Sequence, residues 1–378
     1  MNANTSRHEP AEGDQEAQLL SWTARDLPTG RHQFHKERLM AQIHDMRQRE
    51  QHEQHEQREQ RDRRTAPAAP GKRRRLRLPR PAIALPALAA ALAGTVVAGI
   101  AVQGGGGGTR DGGVATGPAL TTQVGVAAAG APQLLDQISL AAADASHPKV
   151  GPGQYVYIES RMADTFLKTV NDKTSLASHA LHRRQVWMSP DGTKGWLIDP
   201  AVNDSPEGET LSLPDEQGNT PKAGLNSPSY DYLTKLPADP DKLLAKIYKE
   251  TEGLGNTPDQ EAFTTIGDLL GESYPPADLY PALFKAAAKI PGVVVVRDAV
   301  DAVGRHGVAV ARLDETSGQR EEWIFNPKTY VFLGERTVQV RKGTGVDALI
   351  KPGTVMFTSA VITRSVVDGI KQTPAADG

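Results

Sequence analysis

The chain has 378 residues, with 43 Lys and Arg against 45 Asp and Glu, and no cysteine. The missing cysteine excludes disulfides, thiolate-ligated zinc, iron–sulfur clusters and thiol nucleophiles. The near-neutral total conceals an asymmetry: residues 1–80 hold 17 cationic against 12 acidic side chains and the remainder holds 26 against 33, so a basic first segment precedes an acidic remainder.

Residues 1–80 form the first region. Asp26-Leu27-Pro28-Thr29-Gly30 is a turn sequence. From Phe34 the pattern turns helical, and Leu39, Ile43 and Met46 share one face of a short amphipathic helix, the candidate docking face for a partner. Beyond Met46 a Glu-Gln-His and Glu-Gln-Arg repeat carries no apolar stripe, so the region is expected to be partly disordered. His44, His52 and His55 lie in this solvated tract; imidazoles without fixed geometry bind metal weakly, and no metal site is expected.

Residues 82–102 carry no charge, and Lys72, Arg73, Arg74, Arg75, Arg77 and Arg80 stand just before them. At about 1.5 Å per residue the run spans roughly 31 Å, the thickness of a bilayer core. The cations predict a single-pass transmembrane helix with the N-terminus cytoplasmic and the C-terminal region outside the cell membrane. A cleaved signal peptide would need an n-region of about eighty residues. A buried soluble helix would carry a polar face, and this run offers only Thr95. The same cations suit an anionic membrane surface better than nucleic acid.

Residues 103–130, with five consecutive glycines at 104–108, read as a flexible tether. The remaining region, 131–370 with a tail at 371–378, predicts an extracytoplasmic α+β domain, an antiparallel sheet packed on helices. Leu134, Leu135 and Ile138 mark a first helix ended by His147-Pro148. Tyr155, Tyr157 and Glu159 alternate as in a strand. Ser189-Pro190-Asp191-Gly192 predicts a hairpin turn between Arg183–Met188 and Lys194–Asp199. The Pro-rich stretch 200–229 reads as a loop. Asp239-Pro240 starts a helix, Thr257 with Gln260 forms a capping box for a second, and Pro275-Pro276 opens a third. Short strands follow at 293–297, 307–313, 321–325 and 330–336, separated by Gly- and Pro-containing turns, and the long β-branched run 354–367 could be a final strand.

No familiar catalytic motif is complete. The glycine run lacks the Lys-Ser/Thr of a phosphate loop, and no Gly-x-Ser-x-Gly elbow occurs. His179 and His182, three apart and near Asp164 and Asp172, form one candidate cluster, with paired surface histidines as the commoner alternative. Tyr155, Tyr157, Trp187 and Trp196 could line a groove or fill cross-strand pairs.

Several phrases together resemble a known family: Asp26-Leu27-Pro28 with Gly30-Arg31-His32, Pro152-Gly153-Gln154-Tyr155-Val156-Tyr157, Leu236-Pro237-Ala238-Asp239-Pro240-Asp241, Phe263-Thr264-Thr265-Ile266-Gly267-Asp268-Leu269-Leu270, Ile290-Pro291-Gly292-Val293 and Phe332-Leu333-Gly334-Glu335-Arg336. They are similar to an uncharacterised family of actinobacterial single-pass membrane proteins, often found beside extracytoplasmic-function sigma factors. The outer region is also distantly similar to lipoprotein-carrier and sigma-regulator sensor folds, in which a curved antiparallel sheet wraps around helices. The resemblance implies no established activity, and a zinc-dependent sigma-binding motif would need cysteines that this chain lacks. The expectation is a non-enzymatic envelope protein without cofactor, whose outer domain binds an unknown ligand or partner and whose inner segment contacts a cytoplasmic regulator such as a sigma factor, with no direct nucleic-acid contact. The alternative is a membrane-tethered lipid or lipoprotein carrier without a signalling role.

Overall fold

The computed structural model describes residues 110–111, 114–170, 173–202, 205–212, 214, 222–255 and 257–374. All of them belong to one compact unit. In chain order they form β1 (Arg110–Asp111), β2 (Val114–Pro118), β3 (Ala127–Ala128), α1 (Ala131–Asp144), β4 (Tyr155–Val170), β5 (Lys173–His179), β6 (His182–Met188), β7 (Gly195–Ile198) and β8 (Glu209–Thr210). There follow α2 (Tyr230–Leu233), α3 (Pro240–Glu250), α4 (Pro258–Glu272), α5 (Leu279–Ala287), β9 (Val293–Val300), β10 (His306–Asp314), β11 (Gln319–Phe325), β12 (Phe332–Gln339) and β13 (Val355–Val367).

The described strands join in one thirteen-stranded antiparallel sheet, in the order β1-β2-β5-β4-β13-β12-β11-β10-β9-β3, with β6, β7 and β8 branching from β4. This corrects the α+β expectation to a mainly β architecture. The four helices expected after residue 130 are present, but the sheet outgrows them: β4 runs for 16 residues, and β5 has no apolar alternation to announce it. β1, β2 and β3 also fall within the stretch read as a tether. The transmembrane expectation gains nothing here. No described helix is long and apolar enough to cross a membrane, and residues 82–102 lie outside the described residues.

β4 is the pivot of the sheet. One edge pairs with β13 over residues 155–164, and the other pairs first with β6 and then with β5. Thr165 faces Ser178 whereas Met162 faces His182, so the partner strand gains one residue between β5 and β6. That extra residue is a β-bulge, which bends a strand and sharpens its twist. Beyond the bulge the outer edges diverge: β2 pairs with β5 and β7 pairs with β6.

The sheet must also curl. β2 and β3 stand eight strand spacings apart along the order, roughly 38 Å if flat at about 4.8 Å per spacing. The nine steps from Pro118 to Ala127 reach at most about 31 Å. The connection is pinned on the way: the Thr122 amide donates to the Gly353 carbonyl (2.8 Å) and the Val355 amide to the Leu120 carbonyl (2.9 Å). Arg336 Nη1 donates to Thr122 Oγ1 at 3.3 Å. Arg336 and Arg320 both hold Glu322, at 2.8 and 2.7 Å, with all three side chains buried.

The helices cover the other face. Val310, Trp323 and Phe325 of the sheet pack with Leu243, Ile247, Phe263, Ile266, Leu270 and Leu283 in the largest apolar cluster. Phe263 stacks on Trp323 at 3.8 Å between centroids, 7° from parallel. Asp239 caps α3 by accepting from the Lys242 amide at 2.9 Å, with Pro240 in the first turn. Thr257 likewise accepts from the Gln260 amide at 3.2 Å. The return half of the expected capping box is not made. The Gln260 side chain is drawn into a buried network instead, accepting from Arg312 Nη1 (2.7 Å) and donating to Glu321 Oε2 (3.2 Å). Burial favours that choice, because it gives the buried Arg312 guanidinium an acceptor and adds a donor to the Glu321 carboxylate, which also accepts from Thr264 Oγ1 (2.7 Å) and Trp323 Nε1 (3.1 Å).

Candidate functional site

Two constellations stand out among the described residues. The first is a cleft of about 570 Å³ lined by residues that include His147, Lys149, Gln154, Tyr274, Tyr280, Arg364 and Ser365. It forms where the chain leaving α1 and the turn after α4 meet the last turns of sequence in β13. Arg364 extends from β13 to the end of α4, where Nη2 donates to the Leu270 carbonyl and, at 3.3 Å, to the Gly271 carbonyl. A cation there satisfies end carbonyls and suits the negative end of the helix dipole. Nη1 donates to the Tyr280 hydroxyl at 2.8 Å. The Arg364 Nε–H and the Ser365 hydroxyl are buried without a hydrogen-bond partner.

The walls of the cleft are aromatic. His147 stacks on Tyr280 at 4.4 Å and 23°, and its Nε2 donates to the Ala142 carbonyl at 3.2 Å. Burial, helped by the charge of Arg364 and opposed by the Ala142 bond, holds His147 below its ordinary pKa of 6.5. Tyr274 donates to the Pro148 carbonyl at 3.1 Å, and burial pushes its phenol up to about 12. No Asp or Glu lines the cleft, so the charges of Arg364 and Lys149 meet no lining carboxylate. Such a cleft can attract an anionic group and cover an apolar body with ring faces.

The second constellation sits on the β5–β6 bulge. His179 Nδ1 lies 2.8 Å from Asp164 Oδ1, and Phe166 lies against the same imidazole, 4.7 Å between ring centroids. Three residues on, His182 Nε2 lies 3.3 Å from Asp199 Oδ1, an ion-pair contact out of line for a hydrogen bond, while Arg184 Nε approaches Asp199 Oδ2 at 3.3 Å. Burial pulls the His182 pKa down, but the Asp199 carboxylate and the Ala180 carbonyl outweigh it and the net shift is upward from 6.5. Burial pushes Asp199 up, yet His182 and Arg184 outweigh that and leave it below the ordinary 3.8. Both histidines are buried, so the pairs tie strands together and neither ring opens to a substrate.

The structure brings together His179, His182 and Asp164 and adds Asp199, and it corrects the commoner reading of paired surface histidines, since both rings are buried; Asp172 lies outside the described residues. No group of three or more His, Asp or Glu side chains is disposed to hold a metal ion among the described residues. Leu39, Ile43 and Met46, the candidate docking face, lie outside the described residues. The aromatic set does share a face: Tyr157 and Trp187 are buried together with Val367, and Tyr155, Trp196 and Ile198 flank them. That face is covered by the chain's own residues after β13, including Ile370. The cleft was not foreseen. His147 and Arg364 are 217 positions apart, and each sits in a locally ordinary context, a helix stop and a β-branched strand.

No family model, curated protein or solved structure matches this chain.

Proposed function

We propose that residues 110–374 form a non-enzymatic binding domain that takes a small amphiphile with one anionic group into the Arg364 cleft. The observation that carries this reading is a guanidinium lining a cleft that has no lining carboxylate, with Tyr274 and Tyr280 in the same lining. Placing an anion against that charge gains a charge-assisted hydrogen bond, and the aromatic walls cover an aliphatic body. The domain works outside the cytoplasm; the basic segment ahead of residue 82 and the acidic remainder support that location.

The test titrates the full chain by calorimetry with dodecanoate, dodecyl phosphate and dodecanol. At least one anion should bind with micromolar affinity and dodecanol at least tenfold more weakly, and Arg364→Gln should remove that preference. Equal binding of dodecanol and both anions, or anion binding unaffected by Arg364→Gln, would overturn the reading.

A further inference from the structure

The aromatic face of β4, β6 and β7 carries a short turn of the same chain, closed by the Gln372 amide donating to the Gly369 carbonyl at 3.2 Å, and the contacts between them are specific in kind. Trp187 points its indole N–H at the Gln372 carbonyl, 2.6 Å away. Trp196 presents its ring to Lys371, whose Nζ lies 4.2 Å from the centroid. The Glu207 carboxylate reaches the same ammonium at 3.6 Å. Ile370 packs on the cluster of Tyr157, Trp187 and Val367. An aliphatic side chain, an ammonium and a backbone carbonyl on consecutive residues are therefore each met by a different element of the face.

The face is built independently of the segment on it. Trp196 is oriented by its own N–H, which donates to the Glu207 carbonyl at 2.8 Å. Gly208 permits that approach: it has φ +77°, and a Cβ there would lie 2.7 Å from the Trp196 indole nitrogen. Tyr157 is fixed from behind by Gln185 Nε2, which donates to its hydroxyl at 2.7 Å. The covering segment is the strained partner. Lys371 sits at φ +66°, a left-handed conformation that a side chain with a Cβ rarely adopts, because the segment must turn back over the sheet directly after β13.

We propose that this face is a binding shelf for a peptide turn in which an aliphatic residue precedes a lysine, and that residues 368–374 occupy it in cis as a built-in competitor. Specificity follows from the components. Trp196 with Glu207 selects a cation, by ring-face attraction and opposite charge. The cluster around Trp187 selects an aliphatic neighbour. The Trp187 N–H reads a main-chain carbonyl and is indifferent to the side chain there. An intramolecular occupant acts at high effective concentration, so the shelf is closed to weak partners and opens to a peptide that outcompetes the segment or pulls it away.

The experiment uses the full chain. The variant I370D/K371E sets carboxylates against the apolar cluster and against Glu207, so the segment leaves the shelf while the shelf is unaltered. A fluorescein-labelled peptide of residues 367–374, Val-Asp-Gly-Ile-Lys-Gln-Thr-Pro, is titrated against wild type and variant by fluorescence anisotropy. The variant should bind it at least tenfold more tightly than wild type, and the same peptide carrying K371E should lose at least tenfold on the variant. Equal affinity for both chains, or for both peptides, overturns the proposal. If I370D/K371E does not fold, K371E alone, with Ile370 still seated, takes its place and the same ranking is required.

Discussion

His179 Nδ1 stands 2.8 Å from the Asp164 carboxylate, and both residues are buried beside the strand that holds β2 in the sheet. Thr116 of β2 faces His179, and the Ala180 amide donates to the Ala115 carbonyl at 2.8 Å. Asp164→Ala removes the partner of a buried ring at a cost of about 1–3 kcal/mol. The loss should be local first: the Ala180 amide should exchange its hydrogen faster, while amides of β10 and β11 keep their protection. Uniform acceleration across the sheet would contradict that placement.

The second imidazole gives a pH dependence whose sign follows from the shifts. The His182 pKa is raised on folding, so its contribution to stability is complete below about 6.5 and is lost as pH rises through the higher folded value. Asp199 is lowered, so its contribution is present above about 3.8 and is lost as pH falls through the lower folded value. The pair therefore contributes most between these limits. His147 opposes it, since its pKa is depressed and its burial as a neutral ring costs stability as pH falls below 6.5. His182→Gln should therefore lower Tm more at pH 5.5 than at pH 8.5. An equal loss at both values would show that His182 keeps one charge state across the range.

Gly267 offers a test of core packing by sign. In an exposed helix interior, Gly→Ala adds about 1 kcal/mol of stability. Here a Cβ would run into the Trp323 indole nitrogen and lie 2.9 Å from Glu321 Oε1. Gly267→Ala should therefore destabilise by about 1–3 kcal/mol in urea unfolding, through displacement of the Phe263–Trp323 stack. A stabilised variant would mean that α4 stands further from the sheet.

Glu322 bridges two buried guanidiniums, Arg320 and Arg336. Glu322→Ala leaves both uncompensated and should cost about 3–5 kcal/mol, measured by chemical denaturation. The triple replacement of Arg320, Glu322 and Arg336 by apolar residues of similar volume should recover most of that loss. Failure to recover would assign the cost to the Arg336 bond with Thr122 rather than to stranded charge.

Much of the sheet was legible where turn chemistry was explicit. Ser189-Pro190-Asp191-Gly192 gave the β6–β7 hairpin its position, and the Pro and Gly punctuation around 291–292, 317–318 and 326–327 bracketed β9 to β12. The unannounced elements have physical causes. β5 reads Lys-Thr-Ser-Leu-Ala-Ser-His, small and polar, because much of its surface is held by hydrogen bonds such as Ser178 to the Pro118 carbonyl at 2.6 Å. β2 lies among glycines and alanines and forms only because β5 offers an edge. The bulge histidines were legible as a pair because both lie on one short stretch. Asp199 was not, since it reaches them only through the β6–β7 hairpin. The cleft was illegible because Arg364 looks like any cation on a β-branched strand, and only folding sets α4's last carbonyls before it.

The curl that carries the chain from β2 to β3 also decides how the domain bears a load. A pull on the chain ahead of Arg110 reaches β1, whose two residues pair with β2 alone, and then β2, attached to β5 through three residue pairs. These contacts open in succession, as a zipper does, under a small force. Past Pro118 the pull meets the crossing, where Leu120 and Thr122 are bonded to the segment leading into β13 and Thr122 to Arg336. Those bonds sit at the middle of the sheet, so they yield together with it. Stretched from its front end, the domain should lengthen first by a short, reversible step of about ten residues and then hold until the whole sheet gives way.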